Sequence, residues 1–264
     1  MALRRQTGTS KAAGGLAGGF IKAIELKRDA PVSSGTYPFS IAAVRMLGHL
    51  RLHPGVTFFV GENGSGKSTL IEAIAVAAGF NAEGGSRNFH FATRSSESDL
   101  HSYLQLIRSV YRERTGYFLR AESVFNVATQ IEKMDSDPDS SGPAIIDSFG
   151  GVSLHEQSHG EAFLAIAKNR FGRGGLYILD EPEAALSPAR QIAFLKLIND
   201  LEKSGCQLVI ATHSPILLAY PKCQIYRLDQ HGIAPVKYED TEIYRVTVDF
   251  LANYHSYLHH LFDG

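Results

Sequence analysis

With 264 residues, 44% of them hydrophobic and 20% charged, the chain is long enough for one large α/β domain with a sizeable core. Its formal net charge of -1 excludes any argument from bulk charge for a polyanionic partner, while leaving a local basic patch open. Two cysteines outside any CxxC spacing exclude a disulfide framework and point to a reducing, cytoplasmic setting. No apolar stretch reaches the roughly 18–20 residues that span a bilayer, so no integral membrane segment is expected.

Residues 1–19, basic and then Gly/Ala-rich, read as a flexible tail, and 20–264 as a single domain. Phe20 to Leu26 alternates as a strand does. Pro31 to Pro38 is a loop of chain breakers. Phe39 to Met46 reads as a second strand. Val56 to Val60, short and wholly apolar, reads as a buried parallel strand. A glycine-rich turn and a helix from Lys67 to about Ala78 follow. Residues 80–151 are the least regular and read as an inserted lobe: helical spacing over Leu100–Arg112, a short strand at Tyr117–Leu119, a helix over Ala121–Lys133, and a polar, mobile stretch at Asp135–Pro143.

Order returns after Gly151. Gly160–Arg170 reads as a helix and Leu176–Leu179 as a strand. Ser187 caps a helix that starts with Pro188, runs to Lys203 and ends at Gly205. Gln207–Ala211 and Gln224–Leu228 read as further strands, and Tyr244–Phe262 as an amphipathic helix. Strands alternating with helices predict an α/β fold, a mostly parallel sheet with helices on both faces and a small inserted lobe.

Gly61-Glu62-Asn63-Gly64-Ser65-Gly66-Lys67-Ser68 fits the phosphate-loop pattern G-x-x-x-x-G-K-[ST] in full. Glycines let the backbone wrap a phosphate with its N–H groups inward, and the following helix aims its positive end at the anion. Lys67 would reach the β- and γ-phosphates, and Ser68 would give its hydroxyl to Mg2+. The apolar strand Leu176–Leu179 ends in Asp180 and Glu181, placing two acids at a strand tip where open α/β sheets bind ligands. Asp180 would hold Mg2+ and Glu181 would orient and deprotonate the attacking water. The next strand ends in Ala211-Thr212-His213-Ser214, and His213 could reach the γ-phosphate.

These motifs, in this order, resemble the ABC ATPase family, and more narrowly its small soluble ATPases. The pattern covers about Phe20 to Leu228: the phosphate loop, Gln157-Ser158-His159-Gly160-Glu161 as the signature loop, Asp180-Glu181, Glu183 to Ser187, and His213. The resemblance implies that nucleotide is bound by Gly61 to Ser68, Thr69, Ser158 and Gly160, with Glu181, His213 and Lys67 catalytic and Ser68 and Asp180 on the metal. It implies ATP and Mg2+ as cofactors and a homodimer that closes head to tail on ATP, with Ser158 and Gly160 meeting the other subunit's γ-phosphate. His159 replaces the first of two signature glycines, Glu161 stands where glutamine is usual, and Ser187 stands at an aspartate position. Glu122, beside Arg120 and Ala121, is the candidate where a glutamine loop is expected; Tyr37 and Phe39 are candidates to stack on the base.

His155-Glu156-Gln157-Ser158-His159 also matches the zinc-hydrolase pattern H-E-x-x-H, which needs both histidines on one helix face. The glycines around it place it on a loop instead. Arg87, Arg94, Arg108, Arg112, Arg114 and Arg120 motivate a nucleic-acid partner, against the plainer account of a charged face. Roughly ninety residues between Lys67 and Ser158 leave no room for a long coiled-coil arm. An ATPase with an unknown client leads; a transporter's ATPase subunit, a nucleotide-gated DNA-associated or regulatory binder and a small-molecule kinase are the alternatives.

Overall fold

The computed structural model of the chain describes residues 19–87, 98–136 and 142–262. Residues 1–18 of the expected 1–19 tail and the centre of the polar stretch, 137–141, lie outside them.

In chain order the elements are β1 (Ile21–Leu26), α1 (Ala42–Arg45), β2 (Leu50–Arg51), β3 (Val56–Val60), α2 (Lys67–Ala77), α3 (Leu100–Tyr103), β4 (Leu104–Arg108), β5 (Thr115–Arg120) and α4 (Val124–Asp135). They continue with α5 (His159–Arg170), β6 (Gly175–Asp180), α6 (Pro188–Lys203), β7 (Gln207–Ala211), α7 (Pro215–Leu218), β8 (Cys223–Asp229), β9 (Gly232–Pro235) and α8 (Glu242–Phe262). Six strands form one sheet in the order β5-β6-β7-β3-β8-β9, parallel except for β9. A second, antiparallel sheet has the order β2-β1-β4.

The parallel strands are apolar on both faces because both faces are covered. Phe58, Tyr177, Leu179 and Ile210 point into a core closed by α4, α5 and α6. Their neighbours Phe59, Ile178 and Val209 point the other way, against α1, α2 and β1. Buried Gln207 joins the two sheets. Its Oε1 accepts the N–H groups of Phe20 (2.8 Å) and Ile21 (2.9 Å), and its Nε2 donates to the carbonyls of Ile21 (2.8 Å) and His53 (3.0 Å). All of its hydrogen-bonding capacity is used, as a buried amide requires.

Two elements differ from the sequence reading. Phe39–Met46 is not a strand: its centre is α1, which turns Ala43 and Val44 into the core. The second expectation, helical spacing over Leu100–Arg112, holds only for the short α3. Leu104–Arg108 instead pairs antiparallel with β1, a long-range ladder that outweighs local propensity. Residues 80–151, read as an inserted lobe, are woven into both sheets, β4 through β1 and β5 through β6. Among the described residues no helix is long and apolar enough to cross a membrane.

Candidate functional site

The strand register builds the site. Phe59 pairs with Ala211, Ala211 with Asp180, and Asp180 with Arg120. The carboxyl ends of β3, β5, β6 and β7 therefore lie level, and the chain leaving each one emerges at the same sheet edge.

From β3 emerges the phosphate loop. At Gly61 a Cβ would meet the Leu228 carbonyl and lie 2.7 Å from the Ser65 hydroxyl; at Gly66, with φ of +98°, it would press within 2.8 Å of Ile41. Glycine is required at both. Gly66 begins α2, and no side chain caps that helix, leaving its positive end for an anion. Lys67 is 4% exposed and donates to the carbonyls of Gly61 (2.8 Å) and Glu62 (3.0 Å), curled into its own loop. Burial lowers its pKa, while Glu181, Asp180 and Glu183 pull the other way.

From β6 emerge Asp180 and Glu181. The Ser68 hydroxyl donates to Asp180 Oδ1 at 3.2 Å. That spacing is close to the ~3 Å between neighbouring oxygens around a Mg2+ ion with bonds of ~2.1 Å, so the pair fits a hard divalent cation. Asp180 is 5% exposed; burial pushes its pKa up to about 6, with Glu181 adding to the rise and Arg120 and Ser68 opposing it. Glu181 adopts the left-handed conformation (φ 47°, ψ 53°), uncommon for a non-glycine residue and a sign of a turn held for its side chain.

From β7 emerge Thr212 and His213. His213 Nε2 stands 3.5 Å from Glu181 Oε1 and, though shielded from solvent, makes no hydrogen bond. Burial, then Lys67, lowers the His213 pKa, so the ring is neutral at neutral pH. Glu183 locks this corner. One of its oxygens accepts the Thr212 hydroxyl at 2.7 Å and the other accepts the His213 backbone N–H. Burial raises the Glu183 pKa.

From β5 emerges Arg120, which bonds Glu72 at 3.0 Å and Glu122 at 2.8 Å and stands 3.5 Å from Asp180 Oδ2. Arg120, rather than the exposed Glu122, is thus the group that lies beside Asp180. Its role is not legible locally, because only the β5–β6 register brings it there. The two aromatic candidates separate: Phe39 is buried against Tyr103, whereas Tyr37 is exposed and its hydroxyl lies 3.3 Å from Thr69 Oγ1. Glu62, Asn63 and Gly64 form the exposed crest of the loop.

Ser158 and Gly160 pack with other partners. Ser158 caps α5, accepting the Glu161 N–H, while Glu161 accepts from the Ser158 hydroxyl (2.7 Å) and backbone N–H (3.1 Å). Arg190, three residues past the Ser187 cap of α6, donates to Ser158 (3.3 Å) and to Glu161 (3.1 Å). A Cβ at Gly160 would stand 2.5 Å from the Arg190 guanidinium and 2.7 Å from the Ala185 carbonyl, so glycine gives the arginine its place. No hydrogen bond among the described residues ties Ser158 or Gly160 to the phosphate loop.

The H-E-x-x-H histidines do not share a helix face. His155 lies within a short 3-10 turn against Phe125, Gln157 is extended, and His159 opens α5. Of the lobe's described arginines, Arg87 and Arg108 bond Glu113, and Arg120 bonds Glu72 and Glu122 and stands beside Asp180. Arg94 lies outside the described residues.

Two family models match the chain. Residues 46–148 match "AAA domain", and 152–219 match "AAA domain, putative AbiEii toxin, Type IV TA system". An "Uncharacterized ABC transporter ATP-binding protein" of Haemophilus influenzae is 38% identical over 29% of this chain, which spans 29% of that protein's length. The "Xylose/arabinose import ATP-binding protein XylG" of Sulfolobus acidocaldarius is 26% identical over 73% of this chain and 81% of its own. Among solved structures, cbiO1 of Clostridium perfringens, described as part of the ABC transporter complex cbiONQ, is 17% identical over 93% of this chain and all of its own, with a TM-score of 0.45.

Proposed function

Since the chain is a P-loop ATPase of the ABC/AAA type, we propose that it hydrolyses Mg-ATP between two copies facing head to tail. Each phosphate loop is then completed by the other copy's Ser158 and Gly160. One observation carries this reading. Phosphate loop, Asp180, Glu181 and His213 meet at one sheet edge, whereas Ser158 and the start of α5 bond elsewhere, to Glu161 and Arg190. Half of a phosphate site at each of two places suits a site that two chains assemble.

The loop N–H groups and the start of α2 hold the phosphates, and Lys67 exchanges the Gly61 and Glu62 carbonyls for β- and γ-phosphate oxygens. Tyr37, beside Thr69, offers its exposed ring to the base. Ser68 and Asp180 would hold the metal, with the Arg120 guanidinium facing the far oxygen of Asp180. Bound there, Mg2+ would neutralise charge developing on the phosphate oxygens. Glu181 takes a proton from water as the water oxygen bonds the γ-phosphorus and the bond to the β,γ-bridging oxygen breaks, leaving ADP and phosphate. His213, neutral and facing Glu181, aligns water and base. Closing on ATP and opening after hydrolysis moves an attached client.

The test is steady-state hydrolysis against protein concentration, wild type beside Glu181→Gln. A rate rising more steeply than linearly, lost in a variant that still dimerises with ATP, is the expected result. A strictly linear rate overturns the two-copy site. A second reading, the ATPase subunit of a membrane transporter, is favoured by the likeness to the sugar-import protein, most of whose length is covered. Co-purification with an integral membrane partner is its test.

A further inference from the structure

The turn after β6 carries a carboxylate that takes no part in the step at phosphorus. Glu181 reverses the chain with its left-handed backbone, and Pro182 opens a 3-10 turn. Within it the Ala184 N–H bonds the Glu181 carbonyl and the Leu186 N–H bonds the Glu183 carbonyl, each at 3.0 Å. Because Asp180 pairs with Ala211, this turn lies beside the end of β7 and sets the Glu183 side chain onto Thr212 and His213. Both of its oxygens accept there: Oε2 takes the Thr212 hydroxyl at 2.7 Å and Oε1 takes the His213 backbone N–H.

The Thr212 oxygen also accepts the Ser214 N–H at 3.0 Å, which leaves its proton for Glu183. A backbone N–H can only donate. Two donors facing two oxygens call for an ionised carboxylate, since an amide at this position would turn its own N–H groups on one of them. Among the described residues no lysine or arginine forms a salt bridge with Glu183, so neutral donors hold a charge that burial disfavours. Filling the corner would need no charge. What the charge holds is the backbone from which the His213 ring projects. On the other side of His213, the Ser214 hydroxyl donates to Gln191 at 2.5 Å and accepts the Ile216 and Leu217 N–H groups at 3.1 Å each. The chain is thus clamped before and after the histidine. Its ring, with no hydrogen bond at Nε2, keeps only two side-chain torsions with which to face Glu181 Oε1, 3.5 Å away.

We infer that Glu183 is a positioning residue for ATP hydrolysis that acts only through His213, clamping the histidine backbone so that the ring faces Glu181. This rests on the roles proposed for Glu181 and His213, and not on the pairing of two copies.

The experiment is a double-mutant cycle of Glu183→Gln with His213→Ala, read as kcat and KM for ATP in the full chain at one protein concentration. Glu183→Gln alone is expected to lower kcat about tenfold, short of the ~100-fold that a 1 Å misplacement can cost, and to leave KM within about twofold. His213→Ala alone should lower kcat further. Adding Glu183→Gln to it should then change kcat by less than about twofold, because the ring to be aimed is gone. Glu183→Asp keeps the charge but draws it back by one methylene; it should behave as the glutamine variant does, and it replaces that variant if glutamine lowers the melt below the assay temperature. An equal loss on both backgrounds, or a KM that rises as kcat falls, marks a carboxylate that only supports the fold and overturns the inference alone. So does a Glu183→Gln enzyme as fast as the wild type. A His213→Ala enzyme within about twofold of wild type removes the histidine from the reaction, and overturns its proposed role together with the inference.

Discussion

The two places from which the proposed phosphate site is drawn are built differently. Around the phosphate loop the polar groups are buried and tied across the sequence: Ser68 to Asp180, Arg120 to Glu72, Glu183 to Thr212 and His213. At Ser158 the same kinds of group are exposed, and their bonds run within the first turn of α5 and to Arg190 on the neighbouring helix. The first half is fixed before any ligand arrives. The second is held by exposed, individually weak surface bonds and rearranges cheaply. Rigidity sits where the proposed chemistry must position charge, and softness where the proposed second copy docks.

Breaking the rigid half should cost most. Lys67→Ala removes the buried ammonium that braces Gly61 and Glu62 and that would meet the phosphates. Its expected effect is a loss of hydrolysis of about 100-fold or more, within the range for removing a transition-state charge partner, measured by phosphate release. Activity within about tenfold of wild type would mean that the loop backbone alone holds the phosphates.

The same contrast explains what the sequence discloses. The phosphate loop is legible because Gly61, Gly66, Lys67 and Ser68 answer to a local backbone shape that few residue types can adopt. Asp180 and Glu181 are legible because an apolar run ending in acids marks a strand tip. Leu104–Arg108 is not, since its partner β1 lies far away in sequence and local spacing favours a helix. Arg120 reaches Asp180 only through the β5–β6 register, and Arg190 reaches Ser158 only through the packing of α6 beside α5. Contacts made across the fold carry no local signature, and the Arg190–Glu161 pair belongs to that class.

A second way to probe the rigid half uses pH. Asp180 is raised by burial from 3.8 to about 6, so between those values the folded, metal-free protein holds a proton that the unfolded chain has released. Its contribution to stability is therefore full below about pH 4, declines as pH rises through about 6, and is lost above that. Metal binding runs the opposite way, because it needs the carboxylate. Mg2+ affinity measured by calorimetry with ATP present is expected to fall about tenfold for each pH unit below 6. A flat profile from pH 7 to pH 5 would remove Asp180 from the metal site.

In the soft half, Ser158→Ala deletes the α5 cap and the hydroxyl that the proposal directs at the other copy, while sparing the phosphate loop of the same chain. The expected outcome is unchanged ATP affinity at low protein concentration, measured with a fluorescent analogue, with hydrolysis reduced about tenfold at high concentration, the scale of one lost charge-assisted hydrogen bond. Equal losses at all concentrations would place Ser158 in the same half-site as Lys67 and dissolve the distinction between the halves.

The smallest effect is the most specific. Glu161 holds a carboxylate at the first turn of α5, where a γ-phosphate from the other copy would arrive, and Ser158 and Arg190 keep its pKa low. Glu161→Gln preserves the capping geometry, since glutamine also accepts the Ser158 backbone N–H, but removes the negative charge. It also frees Arg190 from its ion pair, leaving the guanidinium to turn toward incoming phosphate. ATP-dependent dimerisation measured by light scattering is expected to strengthen about threefold to fivefold, with a larger gain at low ionic strength, where repulsion between exposed charges is screened least. A weakened dimer would show instead that Glu161 is needed to aim Arg190. The comparison with Arg190→Ala then decides, because a variant that loses the guanidinium weakens the dimer whether Glu161 repels the phosphate or aims the arginine, and only repulsion lets Glu161→Gln exceed the wild type.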